Sequence, residues 1–457
     1  MAEPAIPILA DHDAIAAIAT APGRAGIGVV RVSGPGVKLD ELCQNICGKR
    51  LLPRTAMLCQ FSDGKGGLID QGLALYFPAP HSYTGEDVLE LHGHGSPVVL
   101  QRLLKRCIAL GARIAEPGEF SKRAFLNNKM DLAQAEGVAD LINAATDEAA
   151  RCATRSVQGE FSAAVDALGR QLVELRALTE ATLDFPEDDI DIGTRDNQGN
   201  RLSMAQTVLY NLLQAANQGS LLREGALVVL AGQPNVGKSS LLNRLAGEEI
   251  AIVTEIPGTT RDAIRQSINI KGIPVHVIDT AGLRESTDPV EQIGIARTWA
   301  AIEKADLAVL VIDASSGETA LDTALKSRLP QGLRCITAYN KCDLVLQPVG
   351  VAGVVLSAKT GEGVENLRNA IAEAIGWQGM GGAGGQEGEG VFMARARHLE
   401  ALHLAQTGLA RAGAQIGQQE LFAEELRAAH EALMSITGEM TSDELLGEIF
   451  SRFCIGK

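Results

Sequence analysis

The stretch that decides the fold of this chain is Gly232-Gln-Pro-Asn-Val-Gly-Lys-Ser239, with the spacing Gly-x-x-x-x-Gly-Lys-Ser. It follows the apolar run 227–230 at once, and residues 240–245 after it have helical spacing. In such a strand–loop–helix context the glycines let backbone N–H groups curl around a phosphate, and the lysine ammonium neutralises its charge. The stretch therefore predicts a phosphate-binding loop whose contacts come from Asn235, Val236, Gly237, Lys238, Ser239 and Ser240.

Strand-like and helical patterns alternate over residues 226–376, which is typical of a parallel α/β domain. Three further motifs each follow a strand-like run or the loop helix: Pro257-Gly-Thr-Thr-Arg-Asp262, Asp279-Thr-Ala-Gly282 and Asn340-Lys-Cys-Asp343. A fourth, Ser357-Ala-Lys359, follows the run 354–356 and can close over a nucleotide base. Their order along the chain predicts one nucleotide site.

The residue types in these motifs select GTP with Mg²⁺. The Ser239 hydroxyl and a Thr of the 257–262 motif can reach Mg²⁺, Asp279 can hold the metal through water, and the Gly282 N–H can meet the γ-phosphate. The Asp343 carboxylate can accept two hydrogen bonds from guanine N1–H and its 2-amino group. Adenine has neither donor, so it would leave that carboxylate unpaired and is rejected.

The residue after Gly282 is Leu283, where a Ras-like protein places a water-orienting Gln. A hydrophobic side chain cannot orient water, so either hydrolysis is slow or another residue takes this part. Glu285 and Glu291 are the nearby carboxylates, and chemistry alone does not choose between them.

Composition narrows the class of protein. The 457 residues are enough for about three domains, and the net charge of −15 argues against a surface coated with nucleic-acid-binding Lys and Arg. The eight cysteines form no Cys-x-x-Cys pair, which favours reduced thiols. The longest apolar runs are only as long as strands, and no signal peptide is evident, so we expect a soluble cytoplasmic protein without a membrane span.

The pattern along the chain predicts five segments. These are an α+β N-terminal domain at 1–125, a first helical part at 126–223, the α/β domain at 224–378, a glycine-rich linker at 379–390 and a second helical part at 391–457. We expect the two helical parts to pack together as one discontinuous domain into which the α/β domain is inserted. Thr441 with Glu444 predicts a capping box for the last helix.

Some N-terminal residues leave alternatives open. Arg31 lies in an apolar strand-like run at 27–32, where its guanidinium needs a carboxylate or a ligand. His92 and His94 could bind a metal, but without further ligand spacing a structural turn is favoured.

The quoted motifs, together with Ser82-Tyr-Thr-Gly-Glu-Asp87, Pro117-Gly-Glu-Phe-Ser121, the run 125–132 and the final Cys454-Ile-Gly-Lys457, resemble the MnmE (TrmE) family of tRNA modification GTPases, one of the TrmE-Era-EngA-like GTPases. The resemblance covers essentially the whole chain. It implies a homodimer joined through N-terminal domains that bind a tetrahydrofolate derivative, either 5-formyl- or methylene-tetrahydrofolate. The implied folate ligands are Arg31, Glu90, Lys129 and Lys457, and Cys454 is placed near the modification chemistry.

The family acts with an FAD protein, MnmG (GidA), in a heterotetramer, and adds a carboxymethylaminomethyl (aminomethyl-type) group to carbon 5 of the wobble uridine of certain tRNAs. The resemblance implies that K⁺ is bound by Asn235, Thr254, Ile256 and Thr259, that Ser239 and Thr260 hold Mg²⁺, and that Glu291 positions the attacking water. The implied GTP contacts include the loop residues Thr254, Glu255, Ile256, Pro257, Gly258, Thr259 and Thr260, and also Asp279, Thr280, Ala281, Gly282, Asn340, Lys341, Asp343, Ser357, Ala358 and Lys359.

Two other functions fit the sequence less well. A ribosome-assembly or RNA-binding regulatory GTPase would carry an appended basic module, and the last 60 or so residues are not basic. A folate-binding scaffold with a vestigial GTPase domain is disfavoured by the intact Lys238, Ser239, Thr260 and Asp279.

Overall fold

The computed structural model of the chain describes residues 13–184, 195–247, 265–279, 302–345, 352–377, 391–439 and 442–456. The chain divides into two compact units. The first comprises Met1–Ala139 with Thr437–Lys457, and the second comprises Asp140–Ile436. No helix within the described ranges is long and apolar enough to cross a membrane.

The first unit is built on a six-stranded mixed sheet with the order β3-β4-β5-β2-β1-β6. Only β1 and β6 pair in parallel. The strands are β1 (Ile15–Ile18), β2 (Ala25–Gly34), β3 (Met57–Ser62), β4 (Leu68–Phe77), β5 (Asp87–Gly95) and β6 (Arg113–Ile114). Helices α1 (Gly36–Cys47) and α2 (Pro97–Ala109) supply apolar side chains to the same core as the inward residues of the sheet. This packing follows from the period-two burial of β2 and β5 and the apolar stripe of each helix.

Three further helices belong wholly or largely to this unit. They are α3 (Glu119–Leu126), α4 (Leu132–Asn143) and the last helix, α13 (Asp443–Ser451). Leu132 and Ala135 of α4 share a buried cluster with Phe450 of α13 and with Phe453. The C-terminal segment is thereby joined to the N-terminal unit by apolar packing.

The second unit contains the α/β sheet, with strand order β12-β11-β10-β7-β9-β8. All its strands pair in parallel except β8 with β9. The strands are β7 (Ala226–Ala231), β8 (Arg265–Ile270), β9 (Ile273–Asp279), β10 (Leu307–Asp313), β11 (Arg334–Asn340) and β12 (Val354–Val355). Helices α8 (Lys238–Ala246) and α9 (Ala320–Ser327) lie between strands in sequence, and α10 (Val364–Ala374) follows β12. Strands β7 and β10 are almost wholly buried, as expected for central parallel strands.

The same unit contains the helices on either side of the α/β segment. They are α5 (Asp147–Val157), α6 (Glu160–Asp184), α7 (Arg195–Glu224), α11 (Ala396–Ala414) and α12 (Gln419–Thr437). The two sets pack on each other: the rings of Phe161 and Phe392 stack with centroids 4.3 Å apart. The guanidinium of Arg395 lies 2.8 Å from Asp140 Oδ1, which is only 8% exposed. The two helical segments, separated in sequence, therefore share one packed structure.

Helix α5 also contacts the sheet. The Thr146 hydroxyl caps α5 by accepting from the Ala149 N–H, and it donates to the Gly272 carbonyl at 2.8 Å. Gly272 is in the turn between β8 and β9, with φ of 87°. A Cβ there would lie 2.6 Å from the Glu148 side chain, so only glycine fits this approach.

One local prediction was wrong, and another falls partly outside the described residues. His92 and His94 do not form a turn: both are in β5, and His92 pairs with Val29 of β2 and Leu73 of β4. The last helix is capped by Ser442, whose hydroxyl accepts from the Leu445 N–H. Thr441 lies outside the described residues.

Candidate functional site

The candidate nucleotide site lies at the carboxyl edge of the α/β sheet. Because β7, β9, β10, β11 and β12 run parallel, the segments that follow them converge at one edge, where ligands bind in open α/β sheets. The phosphate-binding loop follows β7, Asp313 ends β10, Asn340 ends β11, and Ser357 follows β12.

The backbone of the loop after β7 has left-handed residues at positions where the sequence provides glycine or asparagine. Gly232 has φ of 152°, and a Cβ there would lie 2.4 Å from the Val311 carbonyl oxygen. Asn235 and Gly237 are also left-handed, with φ of 64° and 96°. Such turns direct successive N–H groups into an anion-binding concavity at the start of a helix.

The Lys238 ammonium lies inside this loop. Its Nζ donates to the carbonyls of Gly232 at 2.8 Å and Gln233 at 3.0 Å, and the residue is 7% exposed. An ammonium held by two loop carbonyls at the N-terminus of α8 is suited to binding polyphosphate.

Asn340 connects the phosphate loop to the segment predicted to cover the base. Its Nδ2 donates to the Val236 carbonyl at 2.8 Å, and its Oδ1 accepts from the Ala358 N–H at 2.9 Å. The side chain is buried, and a Cβ on Gly237 would lie 2.4 Å from its Nδ2. Asn340 thus fixes the spacing between the phosphate loop and the 357–359 segment.

The carboxylate predicted to recognise guanine is oriented by its neighbours. The Ser357 hydroxyl donates to Asp343 Oδ1 at 2.6 Å. A serine hydroxyl occupying one lone pair leaves the carboxylate with other acceptor sites, and Ser357 is itself fully buried. Arg244 of α8 donates to the carbonyls of Ala358 at 3.1 Å and Lys359 at 2.6 Å, so these bonds connect the 357–359 segment to the helix that follows the phosphate loop.

Lys341 is placed by Asp313, a residue that the sequence reasoning missed. Lys341 Nζ lies 2.7 Å from Asp313 Oδ2, and the lysine backbone is left-handed, with φ of 66°. Burial alone would raise the pKa of Asp313, but hydrogen bonds from Lys341 and Ser315 and the lysine charge lower it. The available signal was the polar residue ending the buried run 307–312, because strand ends at this edge meet the ligand.

Several predicted residues lie outside the described ranges. They are Thr254, Glu255, Ile256, Pro257, Gly258, Thr259, Thr260, Thr280, Ala281, Gly282, Leu283, Glu285, Glu291 and Lys457. Asp279 is described as the last residue of β9, at the same sheet edge as the phosphate loop.

A second candidate site lies in the N-terminal unit. Arg31 of β2 and Glu90 of β5 are directly paired in the sheet register, and Arg31 Nε and Nη2 each lie 2.9 Å from Glu90 Oε1. The Arg31 guanidinium also lies over the rings of Tyr83 and Phe120, at 5.2 and 5.9 Å. The requirement of Arg31 for a carboxylate is met, and the pair is flanked by aromatic surface.

The other two described candidates of this unit, Lys129 and Cys454, lie beside the 82–87 loop and in the C-terminal segment, respectively. Asn127 Nδ2 donates to the Thr84 carbonyl at 2.7 Å, and a Cβ on Gly85 would lie 3.2 Å from Lys129 Cγ, so Lys129 borders this loop. The Cys454 thiol is exposed, while the Cys454 carbonyl accepts from the Gly118 N–H at 3.3 Å. The C-terminal motif therefore lies against the N-terminal unit.

The α/β sheet, the phosphate loop and the segment predicted to select guanine define the class: the chain is a P-loop GTPase. A family model described as the MnmE helical domain matches residues 132–454, and one described as the GTP-binding protein TrmE N-terminus matches residues 14–129. The chain belongs to the MnmE family.

Two relatives of the chain agree with this membership. The chain is 58% identical over 456 residues to the tRNA modification GTPase MnmE of Nitrosomonas eutropha, with 98% of this chain and 100% of that protein covered. It is 58% identical over 458 residues to the protein of the same name from Nitrosomonas europaea, with the same coverage of 98% and 100%. Among solved structures it is similar to the G domain of the T. maritima FeoB iron transporter, at 31% identity with a TM-score of 0.25, covering 33% of this chain and 98% of that one.

Proposed function

We propose that this chain hydrolyses GTP in the modification of tRNA, in the cytoplasm. The observation that carries the proposal is Asn340, whose buried amide joins the phosphate loop to the segment beside Asp343 in a chain of the MnmE family. A phosphate cradle and a guanine-selective carboxylate are thereby held in one pocket, which is what GTP recognition requires.

In this proposal each residue of the pocket has a defined part. The N–H groups of 235–240 and the Lys238 ammonium hold the phosphates, Asp343 accepts from guanine, and Ser357, Ala358 and Lys359 cover the base. Ser239 and Thr260 are the oxygen ligands proposed for Mg²⁺, which neutralises phosphate charge when bound. Hydroxyl ligands suit this hard cation, and Ser239 is in the first turn of α8 beside Lys238.

Hydrolysis is proposed to depend on K⁺ and on Glu291. Asn235 has a left-handed backbone at the outer turn of the phosphate loop. Its amide oxygen is a suitable K⁺ ligand, with Thr254, Ile256 and Thr259 completing the set. Glu291 orients the water that Leu283 cannot.

The N-terminal unit is proposed to bind a tetrahydrofolate derivative through Arg31, Glu90, Lys129 and Lys457. A carboxylate fixed by a guanidinium offers an acceptor to the ring N–H groups of a pterin, and Tyr83 and Phe120 provide apolar surface. The exposed Cys454 thiol is proposed to act near this site.

The partners are also proposals. We propose a homodimer joined through the N-terminal domains, which works with MnmG to add the carboxymethylaminomethyl group to carbon 5 of the wobble uridine. We also propose the domain limits given above, with domains or domain parts at 1–125, 126–223, 224–378 and 391–457.

The test is GTP turnover measured in K⁺ and in Na⁺ buffers of equal ionic strength. We expect strong stimulation by K⁺ in the wild-type chain and its loss in Asn235→Ala. Glu291→Ala should bind GTP normally and turn it over poorly. Equal rates in both salts would refute the K⁺-dependent mechanism, and undetectable GTP turnover in either salt would refute the proposed activity.

A further inference from the structure

The Glu90 carboxylate in the N-terminal unit has a second partner beyond Arg31. His92 is two residues along β5, and its Nε2 lies 3.1 Å from Glu90 Oε2. Both side chains are partly buried, at 28% exposed for His92 and 17% for Glu90. Because residues two apart in a strand point to the same face, the imidazole lies beside the carboxylate on the face that also carries Arg31.

The hydrogen bonds to Glu90 are divided unequally between its two oxygens. Both Arg31 nitrogens donate to Oε1, and His92 is bonded to Oε2. An ionised carboxylate only accepts, so the proton of this bond is on His92 Nε2. A carboxylate has about four acceptor sites. Arg31 uses the two on Oε1 and His92 uses one on Oε2, so the remaining site is on Oε2, next to the imidazole.

We propose that His92 is a positioning residue of this site: it fixes the Glu90 carboxylate so that Oε2 receives an N–H donor of the bound ligand. The inference rests on the folate-binding function proposed above, since it assigns the donor to the pterin ring. Arg31 alone would hold only Oε1 of Glu90, so Oε2 could change position as the carboxylate group rotates. The second hydrogen bond fixes that rotation, so less ordering remains to be done on binding.

His94 on the same strand provides a matched control. Its Nδ1 lies 2.8 Å from Asp70 Oδ1, so it is also an imidazole paired with a carboxylate on β5. It is 74% exposed and contacts neither Arg31 nor Glu90. A Cβ on Gly93 would lie 2.6 Å from Asp70 Oδ2, so the glycine between the two histidines lets Asp70 reach His94.

The experiment is titration of the full-length protein with 5-formyltetrahydrofolate, using His92→Ala, His92→Gln, His94→Ala and Arg31→Ala. A hydrogen bond to a charged group supports an expected loss of affinity of about tenfold or more in His92→Ala. His92→Gln, whose amide can donate to the same oxygen, should remain within about threefold of wild type. His94→Ala should bind like wild type. His92→Leu, which fills more of the site without a donor, repeats the test if His92→Ala does not fold, and thermal unfolding of each variant separates ligand effects from folding.

The outcomes separate this inference from the function on which it rests. Loss of binding in Arg31→Ala with wild-type affinity in His92→Ala overturns the role of His92 and leaves the folate site intact. Wild-type affinity in Arg31→Ala overturns the folate assignment itself, and the His92 inference with it. Equal losses in His92→Ala and His94→Ala, or no rescue by His92→Gln, overturn the specific role of the Glu90 hydrogen bond.

Discussion

Replacing Asn340 by alanine tests whether its amide assembles the nucleotide pocket. The change removes a donor to the Val236 carbonyl at 2.8 Å and an acceptor for the Ala358 N–H at 2.9 Å, both in buried surroundings. Leaving a buried polar group without its partner costs about 1–3 kcal/mol, so two such groups make roughly 2 kcal/mol a lower estimate. When this cost of about 2 kcal/mol destabilises the GTP-bound state relative to the free state, the affinity for GTP falls by about thirtyfold or more.

The assay is titration with a fluorescent GTP analogue, followed by competition with GDP. The affinities for GTP and GDP should both fall in Asn340→Ala. The phosphate loop and the 357–359 segment are proposed to contact the phosphates and the base, which both nucleotides have. Asn340→Asp retains an oxygen for Ala358 but places a carboxylate against the Val236 carbonyl, so we expect a similar loss. Asn211→Ala, at an exposed position of α7, is the control. An affinity for Asn340→Ala within twofold of wild type would refute the reasoning.

Three further predictions concern single side chains. Asp343→Asn should lower GTP affinity by about a hundredfold or more and reduce the preference over ATP, because the guanine donors lose their ionised acceptor; unchanged preference in competition binding would contradict this. Thr146→Val removes the cap of α5 and the bond to the Gly272 carbonyl, and should lower the free energy of unfolding by about 1–2 kcal/mol in urea; an unchanged urea midpoint would count against it. The folded pKa of Asp313 is below its ordinary 3.8, so the stability it contributes is present above pH 3.8 and is lost as pH falls through the folded value. The stability advantage of wild type over Asp313→Asn should therefore shrink as pH falls below about 4, and a growing advantage would disprove the assignment.

The order of the α/β elements and the position of the phosphate loop were predictable because both are local. A glycine-spaced loop between a buried apolar run and a helical run has one common structure. The order of the motifs along the chain predicted one nucleotide site, and the parallel strands bring the ends of β7 and β11 to the same edge of the sheet. The bonds of Asn340 to Val236 and Ala358 were not predictable, since they depend on the packing of three separate loops.

The N-terminal unit shows where such reasoning fails. A turn was the wrong prediction for His92 and His94. The polar–apolar–polar alternation of Glu90, Leu91 and His92 is the sequence signal of a strand, and Leu91 is buried between the two partly exposed side chains. The sequence predicted that Arg31 needs a carboxylate or a ligand. The residue pattern alone did not predict that Glu90 is this carboxylate. The two are 59 residues apart, and only the register of β2 against β5 brings them together.

The most direct test of the central claim is mass spectrometry of wobble uridines in tRNA from cells that lack this protein. The account predicts that the carbon-5 modification is absent, that the wild-type chain restores it, and that Lys238→Ala does not restore it. Normal modification in the deletion strain, or full restoration by Lys238→Ala, would contradict the account.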